Sequence, residues 1–318
     1  MEKEENIFES ITDVGQAEEI FNYHLKDHPN ELKSAEKLLN TLLNSLSKQP
    51  RLVGDADDFH NFAVSISRTL SDSNAAYYIV YKGLDIHPSN TDLLADAIQY
   101  GYSCGEKNSC NKYFEKLSTI DKSRWTWRAF SFSIEYLLQE WVSSDENKYN
   151  IDDIIQLAKD YQKYMPYEED AWYSEYEIYA GVNQREKSLE ILEEAIKKFK
   201  FCPKCWLRYA DMMIDESEFE KAEPILKNMR KNPRTREHIN ISYMYFLEAQ
   251  CKMAAFRSTE EYENGKIEEK AVWSIYQSFR QSLVSKGLKE SLRSRIDEYI
   301  SEIYAESNIP FPQEWRRT

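Results

Sequence analysis

The feature that most narrows the folds open to this chain is a register that recurs at one fixed interval between positions 169 and 236. Trp172 falls on Trp206, Tyr176 on Ala210, Tyr179 on Met213, Ser188 on Ala222, Leu192 on Leu226 and Ala195 on Met229. A Trp pair alone would mean little. Six positions locked in one register describe a supersecondary unit that is copied and stacked. Apolar residues recur at helical spacing on both sides of a short polar turn, so each copy reads as two helices. A single hairpin cannot bury its apolar face, so neighbours must stack on it. Ser188 and Ala222 are the small residues that let backbones approach, and Trp172, Trp206, Leu192 and Leu226 fill the grooves beside them. Burying such side chains contributes a few kcal/mol each, which makes stability their expected role.

A helix–turn–helix unit of this period resembles the tetratricopeptide repeat, over two full copies (169–202 and 203–236) and several partial ones. The resemblance implies an all-α fold: a right-handed α-solenoid (superhelix) of antiparallel helix hairpins over residues 1–304, irregular at both ends, with a non-helical tail over 305–318. It also implies work by binding, on the concave face made by the first helix of each hairpin. Carried over position by position, that face includes Asp170, Tyr173, Glu177 and Ala180 in one repeat and Lys204, Leu207, Asp211 and Ile214 in the next. The family's carboxylate-clamp variety uses Lys, Arg and Asn there, and this sequence departs from it. An acidic and aromatic groove suits a basic or amphipathic polypeptide segment. The same residues also read as ordinary solvated positions.

Composition agrees with long helices and short loops: 8 Gly and 9 Pro in 318 residues leave little room for strands and tight turns. Aromatics reach 14%, with 22 Tyr, a residue whose ring packs while its hydroxyl stays wet. The net charge of −14 runs against nucleic-acid binding, which needs Lys and Arg for phosphates. No apolar run approaches the ~18 residues that span a bilayer. The opening Met1-Glu2-Lys3-Glu4-Glu5 is acidic where a signal peptide is basic then apolar. Five Cys form no disulfide framework, so a cytoplasmic protein is expected.

Along the chain, Ile7, Phe8 and Ile11 suggest a short opening helix, followed by helices over 16–27 and 32–47, the latter without an evident partner. Hairpins follow over 55–86, with Asp72-Ser73-Asn74 as a cap, and over 91–117, with Gly105 as a left-handed terminator. The aromatic helix 125–142, carrying Trp127 and Trp141, pairs with 151–165 across a polar excursion at 143–150. Ser217 with Glu220 reads as a capping box for the helix that follows, and Pro224 falls inside that helix, where a kink is expected. Roughly 15 residues are inserted relative to the period near 257–267, as an overshooting helix or a projecting loop. A last amphipathic helix over 288–304 resembles a cap. In the tail, Phe311 and Trp315 are possible anchors that fold back, bind a partner or enter a neighbouring molecule.

Few residues suggest chemistry. Cys202-Pro203-Lys204-Cys205 is half a zinc site or a redox pair, yet no second ligand pair lies near it and a helix rather than a strand precedes it. Two small thiols packed in the core are the alternative. His24 and His28 have the i, i+4 spacing of a metal pair without the Glu arrangement of a metalloprotease. Cys104 and Cys110 flank a turn and could bridge only with Cα atoms within ~7 Å. No phosphate-binding glycine loop or nucleophile elbow occurs, and Arg234 lies too close to His238 for the Arg-x(4–6)-His pattern of helical ribonucleases. The expected function is therefore a non-catalytic protein-interaction scaffold, adaptor or regulatory subunit without a cofactor. A ligand- or peptide-responsive regulator and a metal or redox protein on Cys202 and Cys205 are the alternatives.

Overall fold

The computed structural model describes residues 11–29, 31–143 and 149–316. Among them, seventeen α-helices and two 3₁₀ turns follow one another, and the only extended pairing is an isolated parallel bridge between Asp13 and Val53. The chain divides into two units, residues 1–174 and 175–318, with the boundary inside helix α9 (Glu169–Gly181). Ile7 and Phe8 of the expected opening helix and most of the 143–150 excursion lie outside the described residues.

The first unit holds α1 (Val14–Asp27), α2 (Leu32–Ser47), α3 (Ala56–Leu70), α4 (Ser73–Ile86), α5 (Thr91–Ser103), α6 (Lys107–Ser118), α7 (Trp127–Ser143) and α8 (Ile151–Tyr164). They pair as consecutive hairpins, and the first helices α1, α3, α5 and α7 lie side by side. The leucine helix α2 is the second member of the opening hairpin, packed on α1 and α3 with Leu39, Leu42 and Leu46 buried. Short polar side chains start the helices. Asp55 and Asp58 form a capping box, Asp72 accepts from Ala75 N at 2.9 Å, and Asn90 accepts from Leu93 N at 2.9 Å. Gly105 at φ 82° closes α5, with Glu106 N donating to Gly101 O at 2.8 Å. Gly83 lets α4 approach its neighbours: a Cβ there would sit 2.8 Å from Phe59 Cγ and 3.1 Å from Leu93 Cδ1. Helix α5 is buried on nearly every side, from Leu93 to Ile98 and at Tyr100 and Gly101, as suits a central helix. Trp127, at the start of the aromatic helix α7, is 39% exposed.

The second unit holds the remainder of α9, α10 (Arg185–Lys198), α11 (Pro203–Asp215), α12 (Phe219–Lys231), the one-turn α13 (Thr235–His238), α14 (Ile241–Arg257), the one-turn α15 (Glu260–Glu263), α16 (Glu269–Val284) and α17 (Glu290–Ser307). The sequence register is written in the backbone. Helix α9 opens at Glu169 and α11 at Pro203, while α10 opens at Arg185 and α12 at Phe219, which is the interval of the Trp172 and Trp206 pair. The connecting turns match too: Asn183 and Ser217 both sit in the left-handed region, at φ 57° and 62°. Gln184 N donates to Tyr179 O at 2.9 Å and Glu218 N to Met213 O at 2.7 Å, the same closing bond in both copies. Ser217 is therefore the terminator of α11 and not the cap of α12, which starts from Glu218 without a side-chain cap. Trp172 and Trp206 are each 6% exposed, and Ser188, Ala222, Leu192 and Leu226 are buried. Helix α12 runs on through Pro224, which lacks the N–H that an interior position would donate.

Beyond the clear repeats, α14 and α16 form the next hairpin, fastened by a reciprocal pair of bonds. Ser242 Oγ donates to Ser282 O at 2.8 Å and Ser282 Oγ to Ser242 O at 2.7 Å. The inserted segment is a connection that contains α15, capped by Thr259, with Tyr262 against Phe256 at 5.0 Å. Helix α17 ends at Asn308, φ 56°, and the tail then turns back over α16. Phe311 is buried 5.1 Å from the Tyr276 ring, and Tyr276 Oη donates to Ile309 O at 2.7 Å. Trp315 stands 6.0 Å from Trp273 with Arg280 over its ring at 4.9 Å, and Arg316 pairs with Asp297 at 2.5 Å.

Candidate functional site

In the second unit, the first helices α11 and α14 and the closing helix α17 line an open cleft of about 700 Å³. Its apolar wall comes from Ile214, Phe219, Met253 and Ala254, and its polar rim from Asp215, Ser217, Gln250, Arg257, Arg295 and Tyr299. An apolar wall with a few oriented polar groups is the composition of a binding surface. The shape is a groove rather than an enclosed chamber.

The rim is held by an ordered network. Tyr243 Oη donates to Asp211 Oδ1 at 2.6 Å, and Arg208 pairs with the same carboxylate at 3.6 Å. Burial nevertheless pushes the Asp211 carboxyl up from its ordinary value, against the lowering effect of Tyr243 and Arg208. Burial and the neighbouring carboxylate also push the Tyr243 hydroxyl up. Tyr243 stacks on Phe246 at 6.0 Å, and Phe246 packs on Tyr299 at 5.7 Å. Gln250 Nε2 donates to Tyr299 Oη at 3.0 Å. Arg257 is clamped by Glu306, at 3.2 and 2.5 Å, and by Glu302, at 3.1 Å. Arg295 lies over the Phe246 ring with its guanidinium 4.7 Å from the centroid.

The groove residues expected from the sequence separate by burial. Asp170, Tyr173, Lys204 and Asp211 are half-buried, Glu177 and Ala180 are exposed, and Leu207 and Ile214 are only 7% exposed each. Helix α14 lies on α11, so Leu207 and Ile214 spend most of their surface on packing, though Ile214 keeps an edge in the cleft wall. Asp211 enters through the Tyr243 bond. The α14 and α17 contributions, Gln250, Met253, Arg257, Arg295 and Tyr299, are not among the residues the sequence pattern nominates.

A second polar constellation, also absent from the sequence expectations, sits in the first unit. Asp96 on α5 is completely buried, with Oδ2 at 2.5 Å from His60 Nδ1 on α3 and Oδ1 at 3.4 Å from Arg128 Nη1 on α7. Arg128 lies over the Trp127 ring at 4.8 Å. One turn earlier on α5, Asp92 Oδ1 accepts from Thr126 Oγ1 at 2.5 Å. Burial raises the Asp96 carboxyl above its ordinary value and outweighs the lowering by His60 and Arg128. His60, Asp96 and Arg128 are the fifth, sixth and second residues of three successive first helices.

Cys202 and Cys205 are fully buried, the former at the start of α11 with Pro203 as its first residue. Among the described residues, no three His, Cys, Asp or Glu side chains gather as metal ligands. His24 and His28 stand ring to ring at 4.9 Å. Cys110 is buried against Ile98 O, its thiol pushed up to about 11 by burial, and is not bonded to Cys104. No described helix is long and apolar enough to cross a membrane.

No family model matches the sequence, and no curated protein matches it either. Solved structures do. A tetratricopeptide repeat protein from Parabacteroides merdae superposes with a TM-score of 0.55, over 89% of this chain and 98% of its own, at 14% identity. Yeast Tom70 superposes with a TM-score of 0.57, over 96% of this chain and 62% of its own, at 14% identity. Human IFIT1, as a dimer with PPP-AAAA, superposes with a TM-score of 0.55, over 87% of this chain and 61% of its own, at 12% identity. This chain thus spans less than two thirds of the last two. At such identities the likeness is one of fold, and by fold this chain is a tetratricopeptide-like helical repeat protein.

Proposed function

We propose that the protein is a non-catalytic interaction scaffold that holds a polypeptide segment of a partner in the cleft between α11, α14 and α17. The observation that carries this reading is the cleft itself. The C-terminal parts of the first helices α11 and α14 wall it together with Phe219 of α12 and the closing helix α17. First helices are what tetratricopeptide-like arrays offer to partners, and the cleft joins apolar surface to a rim of fixed polar groups. A groove open along one side leaves a small molecule largely in water, whereas small-molecule sites bury roughly 70–90% of the ligand. An extended or helical chain segment makes better use of such a surface. The half-buried, raised carboxyl of Asp211 has a phenol and a guanidinium as neighbours rather than a nucleophile, which suits recognition more than catalysis. The total charge of −14 weighs against a nucleic-acid partner of the kind present with IFIT1.

Ala254 is half-buried and lines the cleft, so Ala254→Trp fills it without emptying the core. In affinity purification from the native host, a stoichiometric partner retained by wild type and lost with Ala254→Trp supports the reading. A partner that Ala254→Trp leaves in place moves the binding surface elsewhere.

A further inference from the structure

The ion pairs around this cleft leave one lining group over, and that group describes what fits there. The carboxylate at the rim and those just behind it each have a partner. Asp211 is held by Tyr243 at 2.6 Å and Arg208 at 3.6 Å, Asp215 faces Arg185 at 3.9 Å, and Glu302 and Glu306 close on Arg257 at 3.1 and 2.5 Å. Among the described residues, Arg295 forms no ion pair with a carboxylate; its field reaches Asp211 only weakly, behind those of Arg208 and Asp215. Its guanidinium lies over Phe246, a fully buried ring, which positions the group and leaves its edge N–H donors without an acceptor among the described residues. Stacked arginine prepositioned in this way is suited to a bidentate carboxylate. Of the charged groups that line the cleft, Asp215 and Arg257 have ion-pair partners, and Arg295, beside the apolar wall, has none among the described residues.

Resting on the scaffold reading above, we infer that the occupant of the cleft is an acidic, amphipathic segment of another protein. It sets an Asp or Glu side chain against Arg295 and apolar side chains against Phe219, Met253 and Ala254. This reverses the basic partner that the overall acidity suggests, because each carboxylate named here has an internal partner and Arg295 has none among the described residues. Specificity then comes from one ion pair: a neutral segment leaves Arg295 as it is in the free protein, and a basic one meets like charge.

The test uses the full chain, immobilised, to select from a phage-displayed random dodecapeptide library, with an oligoadenylate of similar length as a separate probe. Wild type is expected to enrich peptides that carry Asp or Glu next to Leu, Ile, Phe or Met. The synthesised consensus should bind about tenfold more weakly to Arg295→Gln and recover with Arg295→Lys, which keeps the charge. Matching melting curves and far-UV dichroism of the variants exclude a folding defect. A consensus without an acidic residue, or an acidic one indifferent to Arg295→Gln, overturns the inference. If that consensus is still blocked by Ala254→Trp, the scaffold reading survives alone. Enrichment of nothing above bare support sinks both. Oligoadenylate binding that exceeds every peptide and falls with Arg295→Gln overturns the inference in favour of a nucleic-acid ligand.

Discussion

The two units treat the same kind of surface in opposite ways. In the first, α5 presents Asp96 toward its neighbouring first helices, and His60 and Arg128 close over it until nothing of the carboxylate is exposed. In the second, α14 presents Gln250, Met253 and Ala254 toward a cleft, and Arg295 covers the Phe246 ring but finds no acid. Both faces draw on charged and aromatic residues of first helices, joined in the second by those of α17, so composition does not separate them. Satisfaction does. Where each charge has an internal partner, the face is a joint between helices. Where one charge is oriented and left over, the face is prepared for something outside the chain.

The joint should fail first under mutation. Replacing Asp96 by Ala leaves His60 and Arg128 pressed together without their acid, and stability should fall by roughly 3 kcal/mol or more, read as a lower midpoint in urea unfolding. A change below about 1 kcal/mol, the scale of an exposed pair, would remove the contrast between the two faces. Gly83→Ala probes the same packing without touching charge. Its methyl group would meet Phe59 Cγ at 2.8 Å and Leu93 Cδ1 at 3.1 Å. The neighbouring core must move, at a cost of about 1–3 kcal/mol. Peptide binding in the second unit should be unaltered in any Gly83→Ala molecule that remains folded.

Much of this is legible in the sequence, for a physical reason that also explains what is not. The register of Trp172 with Trp206 and Ser188 with Ala222 shows because stacked hairpins force large and small residues into fixed places. Helix α2 is visible as a leucine stripe, yet only the packing on α1 and α3 reveals it as the second half of a hairpin. Ser217 misleads because serine before an acidic turn is the common cap pattern, whereas the matching left-handed residue in the previous copy, Asn183, is the better guide. His60, Asp96 and Arg128 depart from the period in opposite directions, the first step longer and the second shorter, so a search for strict repetition passes over them. The cleft is the least accessible: Arg295 and Tyr299 come from the last α-helix, beyond an insertion that breaks the register. Nothing local in α17 distinguishes Arg295 from an ordinary solvated residue.

The buried acid also gives the joint a pH signature of its own. Burial raises the Asp96 carboxyl in the folded protein above the ordinary 3.8, while His60, Arg128, Asp92 and Tyr100 are the charged and titratable groups that face it. As pH rises through 3.8, the unfolded chain gives up this proton before the folded one does. The contribution of Asp96 to stability is thus fully present below that value and is lost as pH rises through the raised folded value. Asp96→Asn removes the proton from the balance. The stability of wild type minus that of Asp96→Asn should decrease as pH is raised from 3.8, measured by denaturant unfolding at each pH. A difference that increases would mean that His60 and Arg128, not burial, set the acid.

The smallest expected effect is the most discriminating. If Arg295 is reserved for a partner, Arg295→Gln should change stability little. The residue is exposed and forms no ion pair among the described residues. A solvent-facing stack on an aromatic ring contributes only about 0.5–1 kcal/mol. Glutamine retains part of the stem that covers the ring, so the loss should lie toward the lower end. A large loss of stability would make Arg295 a structural residue like Arg128, and the two faces would then be one design in two copies. A negligible loss, set beside the collapse expected for Asp96→Ala, would establish the division: a charge whose removal the fold scarcely registers is held in place for an interaction that the free chain does not contain.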